Sequence, residues 1–194
     1  MSQAPWRSPL VRALHLNRSL AYARYLQLAT VRADGRPANR TLVFRGFLAD
    51  SDRLKFVIDS RSQKPEQIER QSWAEACWYF PSSREQFRIF GSLTLVKADE
   101  LNTALHQARQ ATWQELSDAA RLQFAWPDPR RPKADSAAFK PPPPNPNEPL
   151  ANFCLLLLQP LQIDHLQLRS DPQNRTIYSW HEDKQAWSTQ AVNP

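Results

Sequence analysis

Residues 40–47 read RTLVFRGF, an apolar run closed at each end by an arginine. On an extended chain, side chains alternate between two faces, so Arg40, Leu42 and Phe44 point one way and Thr41, Val43 and Arg45 the other. The stretch therefore predicts a strand with one face in a core and its two guanidinium groups on opposite faces. Upstream, LQLATVRADGRPAN (26–39) carries a second run ahead of Asp34-Gly35, a dipeptide whose tolerance of positive φ suits a hairpin. Downstream, RLKFVIDS (53–60), EACWYFP (75–81) and EQFRIFGSLTLVKA (85–98) predict three more strands. In the last of these, Phe87, Ile89, Leu93 and Leu95 share one face, and Gln86, Arg88, Phe90, Ser92 and Thr94 share the other.

Helical signals flank this β region. SPLVRALHLNRSLAYARYLQLA predicts an N-terminal helix with Ser8 as N-cap and Pro9 at its first position, broken near residues 17–19. KPEQIERQ (64–71) predicts a short helix capped by Ser62, and residues 99–126 predict helix from an Asp99 cap. Residues 127–149 hold nine prolines, which excludes regular helix and ladder strand and predicts a stiff, extended cover. FCLLLLQPLQIDHLQL (153–168) then predicts a strand buried on both faces followed by an alternating one. RTIYSWHEDKQAWSTQ (175–190) predicts a hairpin turning at Glu182-Asp183. No internal repeat interrupts this order, and residues 1–194 are expected to form a single domain.

The composition narrows the chemistry. The longest apolar run, Phe153–Leu158, is too short for a membrane helix, and the first residues lack the apolar core of a secretion signal. A cytoplasmic protein is expected, with Cys77 and Cys154 as buried free thiols. Net charge is +6 and 19 of the 25 basic residues are arginine, so an anionic ligand gripped by paired guanidinium hydrogen bonds is expected. The 19 acidic residues are spread among the basic ones, and no aromatic-rich basic strand stands out, which disfavours a nucleic-acid-binding barrel. Zinc-protease, zinc-finger, nucleophile-elbow and Walker motifs are all missing from the sequence. Glycine occurs only at 35, 46 and 91, so no glycine-rich phosphate loop can form. A phosphate-bearing cofactor would have to be held by side chains and a helix start, as Ser62, Lys64 and a nearby guanidinium would allow.

The order of these elements resembles a known family. An arginine five residues before a second basic residue in one strand, a strand leading into S-x-K before a helix, then F-P, then Q-x-R-x-x-G, resembles the pyridoxamine 5'-phosphate oxidase-like FMN-binding split-barrel family. The match runs from Gln27 to Val96. TWQELSDAARLQFAWPDP and FCLLLLQPLQIDHLQL further resemble a less characterised branch of FMN-binding-domain proteins, so nearly the whole chain is covered. The resemblance implies a mainly β fold, a six-stranded antiparallel split barrel with flanking helices, acting as a homodimer with FMN at the subunit interface. It implies Arg40 at the FMN phosphate, with Thr41, Leu42, Val43 and Arg45 along the flavin. Val57 and Ile58 would lie beside the ribityl chain, and Ser62 and Lys64 at the phosphate. Gln63 stands where the family's oxidases carry an arginine, with Arg61 as the neighbouring substitute. Gln86 would read the flavin edge, and Arg175 would come from the partner subunit. Asp171 and Gln173 replace an R-x-H substrate pair and Leu166 replaces a flavin-packing tryptophan, which speaks against a pyridoxamine phosphate pocket. His165 and His181 are the histidines left for a pocket. The implied activity is a flavin-dependent oxidoreductase with no catalytic acid or base named. The alternative is an FMN carrier without turnover, and relatives of this barrel also hold F420 or haem.

Overall fold

Leu26 and Leu28 of β1 (Tyr25–Val31) share one core with Leu42 of β2 (Pro37–Val43) and Phe44 just beyond it, the alternate residues of a hairpin whose turn places Gly35 at φ +79°. The computed structural model describes residues 3–194. β1 pairs on its other side with β4 (Trp73–Phe80), β4 with β5 (Glu85–Val96), and β5 with the long β6 (Phe153–Gln167), all antiparallel. The first half of β6 pairs with β3 (Leu54–Asp59) and its second half with β7 (Asn174–His181), which forms a terminal hairpin with β8 (Ala186–Val192). The β2 end then meets β3: Arg45 N–H donates to the Lys55 carbonyl at 2.9 Å, Lys55 N–H donates to that of Gly46 at 2.8 Å, and Phe47 bridges Leu54. Six strands thus close a barrel, split where β6 divides its pairing between β3 and β7.

β5 and β6 keep register only by a bulge. Phe90 faces Gln162 while Gly91 faces Pro160, leaving Leu161 as the extra residue, which is how a proline fits inside a central strand. β6 is therefore one strand of 15 residues where the sequence pattern suggests two. Its first six residues are all buried, as expected for a strand covered on both faces. Cys154, Leu156 and Leu158 face the barrel core, while Phe153 packs with Trp113, Leu116 and Phe124 of the outer helical layer.

That layer consists of α3 (Thr103–Gln114) and α4 (Asp118–Leu122), joined to the 3-10 turn Gln123–Ala125. Asn102 caps α3 and Ser117 caps α4, each accepting a backbone N–H with its side-chain oxygen. Asp99 is not a cap, because it lies in a turn after β5 and the helix starts only at Thr103. α1 (Arg7–Leu16) starts one residue before Ser8, on the buried Trp6, and ends at the buried Asn17, whose side chain donates to the Ala13 carbonyl. Burying Trp6 overrides the local Ser8-Pro9 signal. Of the two thiols, Cys154 is buried and Cys77 only half-buried. Among the described residues, no helix is long and apolar enough to cross a membrane.

Candidate cofactor site

The outward face of β2 and β3 forms the floor of the largest cavity described, about 770 Å³, a volume typical of small-molecule sites. Thr41 and Val43 line it from β2, as strand alternation requires, with Arg45 just past the strand's end, and Val57 and Asp59 from β3. Leu42 and Ile58 border it while their side chains belong to the barrel core. Ser62 and Lys64 close one end. The roof is the proline-rich strap: Trp126 to Ala134 and Phe139 all face the cavity, with Trp126 and Phe139 meeting edge to face at 5.8 Å. The strap has no strand, and its one helical piece is the 3-10 turn Ser136–Phe139; turns fall at 129–130 and 146–147, with Arg130 at φ +67°.

Arg61 anchors the strap. Its guanidinium binds both Asp59 oxygens, the Asp128 carboxylate, and the carbonyls of Phe124 and Trp126, so all five N–H donors are engaged. Burial alone would raise the Asp59 pKa, but the hydrogen bonds from Arg61 and Asn152 outweigh it and hold the carboxylate below its usual range. Arg61 is thus a structural tie, with no donor left to replace the arginine missing at 63. Arg61→Ala should cost about 2 kcal/mol, one charge-assisted hydrogen-bond set. It should also speed proteolysis within residues 127–140 while amide exchange in the barrel strands stays slow.

The remaining charges are unbalanced. Six cationic side chains line the cavity against two carboxylates, and Arg61 holds both of those. Among the described residues, Lys64 and Arg45 have no ion-pair or hydrogen-bond partner for their side chains, and the Arg45 Nε and Trp126 Nε1 atoms are buried without one. Burial, then repulsion from Arg40, lowers the Lys64 pKa, with Asp59 partly opposing. Burial and the nearby Arg24 lower that of Arg45. Desolvated cations without a counter-ion fit an anionic group, and the orphaned N–H donors fit a ligand rich in acceptors.

Arg40, Gln63, Gln86 and Arg175 do not line this cavity. Arg40 is on the opposite face of β2 from Arg45 and donates to the Leu28 carbonyl, Thr30 Oγ1 and Gln67 Oε1, tying β1 and β2 to α2 (Lys64–Arg70). Its charge is still felt by Lys64. Ser62 does not cap α2; its hydroxyl donates to the Asp59 carbonyl at 2.7 Å, and Gln63 holds the N-cap position without a side-chain bond. Gln63 lines a separate notch. Gln86, Leu166 and Arg175 form one cross-strand row, and Arg175 makes a two-point contact with Asp164 at 3.0 and 2.7 Å. His165 is a core residue, stacked on Phe87 and bonded to the buried Glu85 at 2.7 Å, while His181 bonds Ser188 on the exposed hairpin. Asp171 and Gln173 sit on an exposed turn. The strap cations escaped the sequence reading, although the cluster RRPK at 130–133 was their visible signal.

Fold and cavity together define a split-barrel protein with a cavity whose unpaired cations suit an anionic ligand. A family model described as the pyridoxamine 5'-phosphate oxidase FMN-binding domain matches residues 3–97. A curated plant protein, pyridoxine/pyridoxamine 5'-phosphate oxidase 2 of Arabidopsis thaliana, is 35% identical over 195 residues, 98% of both chains. The chain belongs to this pyridoxamine 5'-phosphate oxidase-related family, and FMN is its cofactor. A crystal structure of a pyridoxamine 5'-phosphate oxidase-related, FMN binding protein from Nostoc punctiforme is 61% identical, with a TM-score of 0.97 over the whole of both chains. The bacterial oxidase of Hyphomonas neptunium is 33% identical over 115 residues, about half (48%) of its own length. PhzG of Burkholderia lata, 19% identical at a TM-score of 0.77 over 99% of this chain and 94% of its own, shares the fold.

Proposed function

We propose that the cavity holds FMN with its phosphate at Ser62 and Lys64 and its ring along Thr41–Arg45, and that the protein is a flavin-dependent oxidoreductase. The observation that carries this reading is the pair of desolvated, unpartnered cations, Lys64 and Arg45, in a cavity of nucleotide size. Bound FMN supplies two-electron redox chemistry; the chain's own part is to neutralise the phosphate, orient the ring and limit water through the strap. Reduction of the purified holoprotein by a nicotinamide donor, followed in the flavin absorbance bands, tests the reading. Reoxidation by an added acceptor separates an enzyme from a carrier. The carrier reading has its own support, because Asp171 and Gln173 stand on the exposed β6–β7 turn where the family's oxidases carry an R-x-H pair, and the one cation of that turn, Arg169, donates to the Ser82 carbonyl.

The active form we propose is a homodimer. Val57 pairs with Leu155, and Leu155 pairs with Val96. Gln86 lies ten residues earlier on β5, roughly 33 Å along the strand at the usual rise. Gln86 and Arg175 therefore reach a ring in the cavity only from a second copy. The exposed face of β4 and β5, with Tyr79 opposite Gln86 and the stacked Trp73–Phe90 pair farther along the same two strands, suits such a contact. Light scattering at micromolar concentration should give twice the chain mass, and a monomer that binds FMN fully would contradict it.

The charge at Lys64 sets a pH dependence. FMN binds the protonated lysine, so affinity is full below the pKa of the free protein's Lys64 and falls as pH rises through it. Burial lowers that pKa, so the loss should begin below the 10.5 of an ordinary lysine. A second loss is expected below about pH 6, where the phosphate takes up a proton. Titration of flavin fluorescence from acid to alkaline pH checks both arms, and Lys64→Ala should remove the alkaline one.

A further inference from the structure

We propose that the strap is itself part of the cofactor site, with Arg130 giving the bound mononucleotide the charged phosphate contact that the neutral Gln63 cannot supply, and Arg131 and Lys133 reinforcing it. The inference rests on the FMN reading above and adds residues to it. Arg130 is the residue common to two cavities: the large one that ends at Ser62 and Lys64, and a notch of about 510 Å³ lined by Arg32, Asp34, Gln63, Glu66, Gln67 and Arg70. It therefore stands beside the first residues of α2, where an uncharged amide occupies position 63. Arg130, Arg131 and Lys133 are exposed and, among the described residues, have no hydrogen-bond or ion-pair partner for their side chains. The nearest strap carboxylate on the cavity wall, Asp128, is already bound by Arg61.

The strap can place these cations because both its ends are fixed. Arg61 holds the carbonyls of Phe124 and Trp126, and Trp113 Nε1 donates to the Asn145 carbonyl at 2.9 Å. Between those anchors the chain has two proline-rich stretches, and Asp128 ties it to Arg61. A dianion at Lys64 would draw the three cations inward, since each is within the cavity wall and exposed enough to turn. Phosphate binding and strap order should then rise together, whereas a ligand with the same ring and no phosphate should leave the strap as it was.

Trypsin reads this directly, because Arg130–Arg131 and Lys133–Ala134 are cleavable bonds within the strap. On the full-length protein, saturating FMN should slow cleavage at these two bonds at least tenfold relative to the cofactor-free protein, and riboflavin should give no such protection. Arg130→Gln should weaken FMN binding about tenfold, and the triple change of Arg130, Arg131 and Lys133 to Gln about a hundredfold, with riboflavin affinity unchanged as the control for folding. Equal protection by FMN and riboflavin, or a triple variant that binds FMN like the wild type, would overturn the inference while leaving the FMN reading intact. A wild-type chain that does not quench FMN fluorescence would overturn both.

Discussion

Gly91→Ala should lower the melting temperature by about 6–12 °C. A Cβ at residue 91 would lie 1.9 Å from the Gln159 carbonyl oxygen, 2.9 Å from its carbon and 3.1 Å from Pro160 Cα. These are backbone atoms of the neighbouring strand, so no side-chain rotation relieves the clash. The bulge at Leu161 must shift, and with it the register that joins the two halves of β6. Overpacking against backbone costs about 3 kcal/mol or more, and a chain of this size loses about 2–4 °C per kcal/mol. Thermal unfolding followed by circular dichroism measures it. Gly35→Ala meets nothing within 4 Å and bears only the strain of its positive φ, so its loss should be clearly smaller.

Lys64→Ala should weaken FMN binding about 10- to 150-fold, the range of one charge-assisted hydrogen bond of about 1.5–3 kcal/mol. The ammonium is partly desolvated and has no counter-ion among the described residues, so its removal relieves a cost in the free protein while removing attraction in the complex. Stability without cofactor should hold or rise slightly as affinity collapses. That opposition separates a binding residue from a structural one, because a structural lysine would lose both together. Lys64→Arg should retain most of the affinity. Fluorescence titration for binding and denaturant titration for stability provide the two readouts.

The barrel was largely legible in the sequence because strand alternation is a local signal. The pattern in residues 40–47 put Thr41, Val43 and Arg45 on one face, which in the structure lines the cavity, and the Asp34-Gly35 turn set the first hairpin. Helix starts were less legible: Ser8, Ser62 and Asp99 all have cap chemistry, yet Trp6, Gln63 and Asn102 hold the positions. Burial of Trp6 and the turn that ties Ser62 to the Asp59 carbonyl decide those starts, and both are tertiary facts. The role of Arg61 could not be read at all, since two of its acceptors are main-chain carbonyls more than sixty residues away. The bulge opposite Gly91 was hidden for the same reason, being a property of two strands in register rather than of either one.

The most direct test compares FMN with riboflavin, which differ by the phosphate alone. Side chains that neutralise that phosphate should make FMN bind at least about 100-fold more tightly, equivalent to two charge-assisted contacts, and the difference should shrink in Lys64→Ala. Equal affinities for the two flavins in the wild-type protein would contradict the account.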